Sequence, residues 1–164
     1  MKKCLLSVLL IFAVLGCFLK AEDVKVKTDR PAVFFNLGAI TAVSGEYFIP
    51  LPYGGFNLDY PLGKNMMISP ELNVVFLLYL PVYLVPGVQV NFKDDTKFVG
   101  CGIVILTDFH DHYYGGNSTM LWKFNAGGYI GDRTKLSIYL LASKNISGGI
   151  VLGATVSFRL GSKK

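Results

Sequence analysis

The sequence predicts an all-β protein, an eight-stranded antiparallel up-and-down β-barrel that spans a membrane. Three observations lead to this fold class. Apolar and polar side chains alternate with a period of two along eight segments, which is typical of strands with two different surroundings. Short charged turns occur at every second connection, and an apolar leader precedes the first segment. Only 16% of the residues are charged and 18 are glycine, a composition unusual for a soluble enzyme.

The leader, residues 1–21, has the organisation of a secretory signal peptide. Lys2 and Lys3 form a positive n-region, an apolar run follows, and Ala21 ends a cleavage site. Two alternatives remain open. In one, Cys17 closes a loose lipobox and carries a lipid anchor. In the other, the leader stays attached as a helix, although its apolar run is short for a full span.

The predicted domain organisation continues with a polar periplasmic segment at residues 22–30, the barrel at residues 31–160 and a tail at residues 161–164. Cys101 is the only cysteine outside the leader, so we expect no internal disulfide and no cysteine-based metal site. Three lysines of the leader contribute to the formal net charge of +5. The basic composition therefore does not indicate a nucleic-acid partner.

The last predicted strand, residues 150–160, shows the alternation most clearly. One face carries leucine, alanine, valine and phenylalanine, whereas the other carries glycine, threonine, serine and Arg159. The first face fits lipid, and the second fits a narrow polar lumen. The length suits a transmembrane β-strand, which needs about 9–11 residues.

The remaining strands show the same two faces. We predict them at residues 31–41, 53–62, 66–77, 83–92, 97–107, 119–130 and 135–143. The even total places both ends of the barrel on one side of the membrane. The predicted inner face is polar, which argues against a soluble periplasmic lipocalin-like barrel with an apolar interior. Its members include Asn57, Asp59, Glu71, Asn73, Gln89, Asn91, Lys123 and Asn125.

The connections support this arrangement. Three short charged turns lie at residues 63–65, 93–96 and 131–134. The alternate connections are mostly longer, as expected for outer loops opposite periplasmic turns. The apolar run of residues 74–85 suggests a membrane helix, but Pro81 interrupts it and it falls short of about 20 residues, which favours two strands.

Aromatic residues gather near the predicted strand ends, where the interfacial girdles of a membrane barrel lie. The turn-side set is Tyr60, Phe92, Phe98 and Phe158, and the loop-side set is Tyr53, Tyr83, Phe109 and Trp122.

Ionisable residues on the predicted inner face suggest a lumen charge network of Asp59, Glu71 and Arg159. Asp59 precedes a tight turn and Glu71 follows it, so the two carboxylates lie at similar depth. Arg159 lies at the turn-side end of the closing strand and can reach them. Lys123, nearer the loops, is expected to be a second and more distant cation. The alternative is that Arg159 bends into periplasmic water and pairs with nothing.

These features resemble the small outer-membrane β-barrels of the OmpX, OmpA-transmembrane-domain and OmpW type. The resemblance covers residues 31–160 and is architectural. It implies the outer membrane of a diderm bacterium, a monomeric chain, and outer-membrane lipid and the barrel assembly machinery as partners. Such chains often end on an aromatic residue, whereas here Phe158 is followed by Arg159 and further residues, so the assembly signal is presented differently.

The strongest candidate for chemistry is the third outer loop, residues 108–118. It contains His110, Asp111, His112 and Ser118. In an extended segment the two histidines point the same way, which suits a metal. Outer-membrane barrel enzymes that transfer or remove acyl chains resemble this loop in composition only. A solvated, variable loop accounts for the same residues, so we predict no catalytic residue, no metal and no cofactor.

The sequence therefore favours a small integral outer-membrane barrel with a lumen filled by polar side chains. We expect it to act through its surface loops, with an extracellular partner, or in envelope integrity. Eight strands leave an interior about wide enough for side chains to fill, so we expect no open pore. The alternatives are a narrow transporter of small hydrophobic molecules and an outer-membrane acyl-transfer or deacylation enzyme.

Overall fold

The described residues form a closed antiparallel barrel. The computed structural model describes residues 30–43, 50–77, 80–108, 118–131, 133–143 and 150–161. Its strands are β1 (Ala32–Val43), β2 (Leu51–Pro61), β3 (Met66–Leu77), β4 (Leu80–Lys93), β5 (Lys97–Asp108), β6 (Ser118–Ile130), β7 (Thr134–Ala142) and β8 (Ile150–Leu160). Each strand pairs with its neighbours in the chain, and β1 also pairs with β8. The predicted eight-stranded barrel is confirmed.

Several predictions concern residues outside these ranges. They include the signal peptide with Cys17, most of the polar segment and most of the C-terminal tail. Across the ranges that are described, no helix is long and apolar enough to span a membrane.

The strand bounds agree with the prediction to within one or two residues, except at the start of β4. β4 begins at Leu80, and Leu80 lies opposite Leu77 of β3. The β3–β4 register shifts by one residue between Val75 and Phe76. This shift brings Leu77 opposite Leu80 and extends the pairing to the end of β3. The apolar run of residues 74–85 is therefore two antiparallel strands, as predicted.

The alternation separates an apolar outer surface from a largely polar interior. Phe56, Trp122 and Val99 are 51%, 54% and 57% exposed on the outside. The polar residues named for the inner face of the other strands, from Asn57 to Asn125, are buried inside, whereas Arg159 of the last strand is only partly buried. Soluble proteins show the opposite distribution, whereas a barrel surrounded by lipid requires this one.

Two prolines interrupt the hydrogen-bonded ladders of the barrel wall. The β2–β3 ladder lacks the two pairs around Pro70, and the β4–β5 ladder lacks the two pairs around Pro86. The register is the same on both sides of each gap, so neither gap is a bulge. The cause is that proline has no N–H to donate across the ladder. The β3–β4 hairpin is consequently flanked by an interrupted ladder on each side.

Candidate functional site: the sealed polar lumen

The barrel interior has three layers. A turn-side cluster of apolar residues closes the end near the short turns, a loop-side cluster closes the other end, and a polar layer lies between them. The turn-side cluster is Phe34, Met67, Phe98 and Tyr129. The loop-side cluster is Tyr53, Val75, Val85, Val104, Leu121, Tyr139 and Leu141. The polar layer is Asn36, Asn57, Asp59, Ser69, Glu71, Asn73, Gln89, Asn91, Lys123, Asn125, Lys135, Thr155 and Ser157.

An ion pair between β3 and β6 forms the loop-side half of the polar layer. Lys123 Nζ lies 2.6 Å from Glu71 Oε1 and 2.7 Å from Oε2. Asn73 Nδ2 donates to Glu71 Oε2 at 3.2 Å, and Asn36 Nδ2 donates to Asn73 Oδ1 at 3.2 Å. The ammonium of Lys123 also lies 4.7 Å from the ring centroid of Tyr139, within cation–π range.

A second ion pair, between β2 and β7, forms the turn-side half. Lys135 Nζ lies 2.9 Å from Asp59 Oδ2 and 3.2 Å from Oδ1. Asp59 Oδ1 also accepts hydrogen bonds from Asn57 Nδ2 at 2.6 Å and from Ser69 Oγ at 2.8 Å. Lys135 lies 4.6 Å from the ring centroid of Phe34. Each lysine thus joins a carboxylate of the polar layer to an aromatic ring of one apolar cluster.

The predicted lumen network is rearranged in the structure. Asp59, Glu71 and Lys123 are buried in the polar layer, but Lys123 is the direct partner of Glu71 rather than a distant cation. Arg159 forms no ion pair with any described residue, and it is only partly buried beside Asp59 at the turn-side mouth. Lys135 holds the position expected for Arg159, because it lies one strand away from the closing strand and deeper in the barrel.

Lys135 was missing from the predicted network, although the alternation of side chains along the seventh strand places it on the inner face. In the sequence it alternates with Ser137 and Tyr139, and the apolar Leu136 and Ile138 lie between them on the other face of the strand. The distance across the lumen to Asp59 depends on barrel closure, which alternation within one strand does not specify.

The prediction of the two aromatic girdles was partly wrong. Tyr53 and Phe98 lie inside the barrel, 6% and 3% exposed, rather than at the lipid interface. The side-chain phase explains this result, since Tyr53 shares the face of Asn57 and Asp59 on β2. Tyr53 Oη and Thr155 Oγ1 are hydrogen-bonded, and the ring of Tyr53 packs edge-on against that of Tyr139 at 5.9 Å.

Inward-facing glycines make room for the large lumen side chains. A Cβ placed on Gly153 would overlap the ring of Tyr139, its cross-strand partner, and one on Gly127 would overlap the ring of Phe98, also its partner. A ring on one strand therefore lies over a glycine on the next. Eight strands enclose little space, and this pairing lets aromatic rings fit inside it.

The turn between β4 and β5 is organised by Asp94. Its Oδ1 accepts hydrogen bonds from the backbone N–H groups of Thr96 at 2.7 Å and Lys97 at 2.6 Å. These two donors, first that of Thr96 and then that of Lys97, lower the pKa of the Asp94 carboxyl below its ordinary value. The turn is thus stabilised by a carboxylate that remains ionised.

The weak loop candidates are mostly outside the described residues. His110, Asp111 and His112 belong to this group. Ser118 is described as the first residue of β6, and its Oγ lies 3.3 Å from Thr107 Oγ1. Among the described residues, no three His, Cys, Asp or Glu side chains lie close enough together to hold a metal ion.

The architecture is that of the small eight-stranded outer-membrane β-barrels, as the sequence predicted. The N-terminal β-barrel domain of Pseudomonas aeruginosa OprF superposes with a TM-score of 0.53 at 12% identity, over 80% of this chain and 98% of that one. Ail, the attachment invasion locus protein of Yersinia pestis, gives a TM-score of 0.44 at 10% identity, over 79% and 97%. The de novo designed TMB2.3 gives 0.46 at 14%, over 82% and 99%.

The sequence itself matches no protein-family model and no curated protein.

Proposed function

We propose that this chain is an integral outer-membrane barrel with a permanently closed lumen, acting through its loop end or in envelope integrity. The observation that carries the proposal is the reversed distribution of polarity. The outside of the barrel is a belt of large apolar side chains, and the inside holds two ion pairs. A barrel in water would leave this belt exposed, and a contiguous apolar surface of that kind marks contact with lipid or protein. The proposal includes the barrel assembly machinery and an extracellular partner of the loops as partners of this chain.

The single tryptophan provides the test of membrane insertion. Trp122 points outward from β6 and is 54% exposed. In vesicles of phosphatidylcholine brominated on its acyl chains, we expect strong quenching of Trp122 fluorescence and little quenching by aqueous iodide. Strong iodide quenching with no effect of bromine would contradict a lipid-facing belt.

The closed lumen separates this proposal from a transporter of small hydrophobic molecules. The loop-side cluster has the chemistry for such a solute, and it is the only feature in the described residues that favours transport. However, Val75, Val104 and Leu121 pack there with at most 2% exposure, and the charged polar layer lies beneath them. In planar bilayers we expect no stable conductance from the monomer. Steady channels of large conductance would overturn the proposal.

A further inference from the structure

Three buried oxygens of the polar layer have no hydrogen-bond partner among the described residues. They are Asn36 Oδ1, Gln89 Oε1 and Asn125 Oδ1. Their residues are 3%, 6% and 8% exposed. All three residues line the same internal cavity, which has a volume of about 20 Å³. Buried acceptors without a donor are strongly destabilising, so three around one cavity require an explanation.

The hydrogen bonds of the two networks fix two of these atoms as acceptors. Asn36 donates through Asn73 toward Glu71, as described above. On the other side, Asn125 Nδ2 donates to Asn91 Oδ1 at 2.9 Å, and Asn91 Nδ2 donates to Ser69 Oγ at 3.0 Å. Both series run toward carboxylates, which can only accept. Turning either terminal amide would break its series, so the atom without a partner is the oxygen in both Asn36 and Asn125.

The charges around the cavity select the ligand. Three acceptor oxygens need a hydrogen-bond donor or a cation, and they repel an anion. Lys123 and Lys135 also line the cavity, and the ammonium group of each already balances one carboxylate. A further cation would therefore meet two like charges. The volume exceeds the 10–15 Å³ or so that one water occupies, and the polar partners are present.

We propose that this cavity binds an ordered water that donates one hydrogen to Asn36 Oδ1 and the other to Asn125 Oδ1. The water accepts a hydrogen bond from the side-chain amide of Gln89, whose orientation no hydrogen bond to a described residue fixes. Asn36 ends the network of Glu71, and Asn125 ends the network of Asp59. The water is the link between them, so that the two ion pairs form one hydrogen-bonded system across the barrel. This inference concerns the interior and holds whether or not the proposed loop-end role is correct.

The direction in which Gln89→Met changes the unfolding temperature distinguishes a hydrated cavity from a dry one. Gln89 makes no side-chain hydrogen bond to any described residue, so the change removes its amide group, both the oxygen acceptor and the N–H donors, and keeps the length of the side chain. In a dry cavity, deleting an unsatisfied acceptor raises the unfolding temperature or leaves it unchanged. With the water bound, we expect the detergent-folded barrel to lose a few degrees.

The bound water can also be detected directly by NMR. In the folded barrel, rotating-frame NOE spectra should show cross-peaks between water and the side-chain amide protons of Asn36 and Asn125, and Gln89→Met should weaken them. Absence of the cross-peaks in the unsubstituted protein, or a higher unfolding temperature for Gln89→Met, would overturn the proposal. Unfolding temperatures should also be equal in sodium and choline chloride. A higher unfolding temperature in sodium chloride than in choline chloride would indicate a bound cation instead of a water and would also overturn the proposal.

Discussion

The loop-side cluster and the polar layer are neighbours in one lumen, but they fill their space by different means. The loop-side cluster packs valines, leucines and two tyrosines with almost no exposed surface. The polar layer is filled by two lysine–carboxylate pairs and their amide partners, and it retains a small cavity. Apolar packing depends on volume, whereas the polar layer depends on every charge and donor being matched. The two regions should therefore respond differently to substitution.

The largest expected effect comes from breaking an ion pair in the polar layer. Lys123→Met leaves the Glu71 carboxylate buried with only an amide donor, and removal of one partner of a buried pair costs about 3–5 kcal/mol. Adding Glu71→Gln should recover most of that loss, because the charge is then absent. Unfolding by urea in lipid vesicles measures both. Arg159→Ala is the matched control, since Arg159 has no described ion-pair partner, and it should change stability little. A double variant as unstable as Lys123→Met would show that charge matching is not the cause.

A cavity in the loop-side cluster should come next. Leu121 is 1% exposed, so Leu121→Ala should cost about 2–5 kcal/mol of unfolding free energy, as large-to-small substitutions in a packed core do. Its neighbour Met120 faces outward and is 57% exposed. Met120→Ala should therefore have a much smaller effect in the same urea titration. Equal losses from the two variants would indicate that the loop end of the lumen is loosely packed.

Overpacking at the boundary between the two regions should have an intermediate effect. Gly153→Ala pushes a methyl group into the Tyr139 ring, which contacts Lys123, and such changes cost about 1–3 kcal/mol. At Gly54 a Cβ would meet its nearest atoms at 3.4 and 3.5 Å, which is ordinary contact, so Gly54→Ala is the matched control. The unfolding temperature should fall for Gly153→Ala only. A similar fall for both would mean that glycine contributes through the backbone and not by receiving the ring.

The smallest expected effect lies outside the lumen, at Asp94. Because its pKa is lowered in the folded protein, its stabilising contribution is present above the ordinary carboxyl pKa of about 4. It is lost as the pH falls through the lower folded-state value. Asp94→Ala should therefore lower the unfolding temperature slightly at pH 7, and the difference from the unsubstituted protein should shrink as the pH falls below about 4. A difference that persists in acid would assign the effect to turn geometry alone.

Sequence alternation was sufficient for the strands and for the faces of Asp59, Glu71 and Lys123. A side chain's face depends only on its position within one strand, and the period of two is strict. The partners of these residues were less predictable, because a pair such as Lys135 and Asp59 forms across the lumen between strands that are not adjacent. The inward positions of the Tyr53 and Phe98 rings were also missed. Gly153 had to be recognised as the place for Tyr139, which requires the β7–β8 register.

The two prolines of the barrel wall have a consequence for local stability. If the register is continued through each gap, Pro70 lies opposite Leu58 and Pro86 opposite Ile105, so two backbone carbonyls lose the donor that the ladder would supply. In hydrocarbon no water replaces that donor. Both defects border the β3–β4 hairpin, whose own ladder has no such interruption at either proline. The hairpin therefore has a ladder defect at each of its two edges, and we expect it to separate from its neighbours as a unit at lower free energy than global unfolding requires.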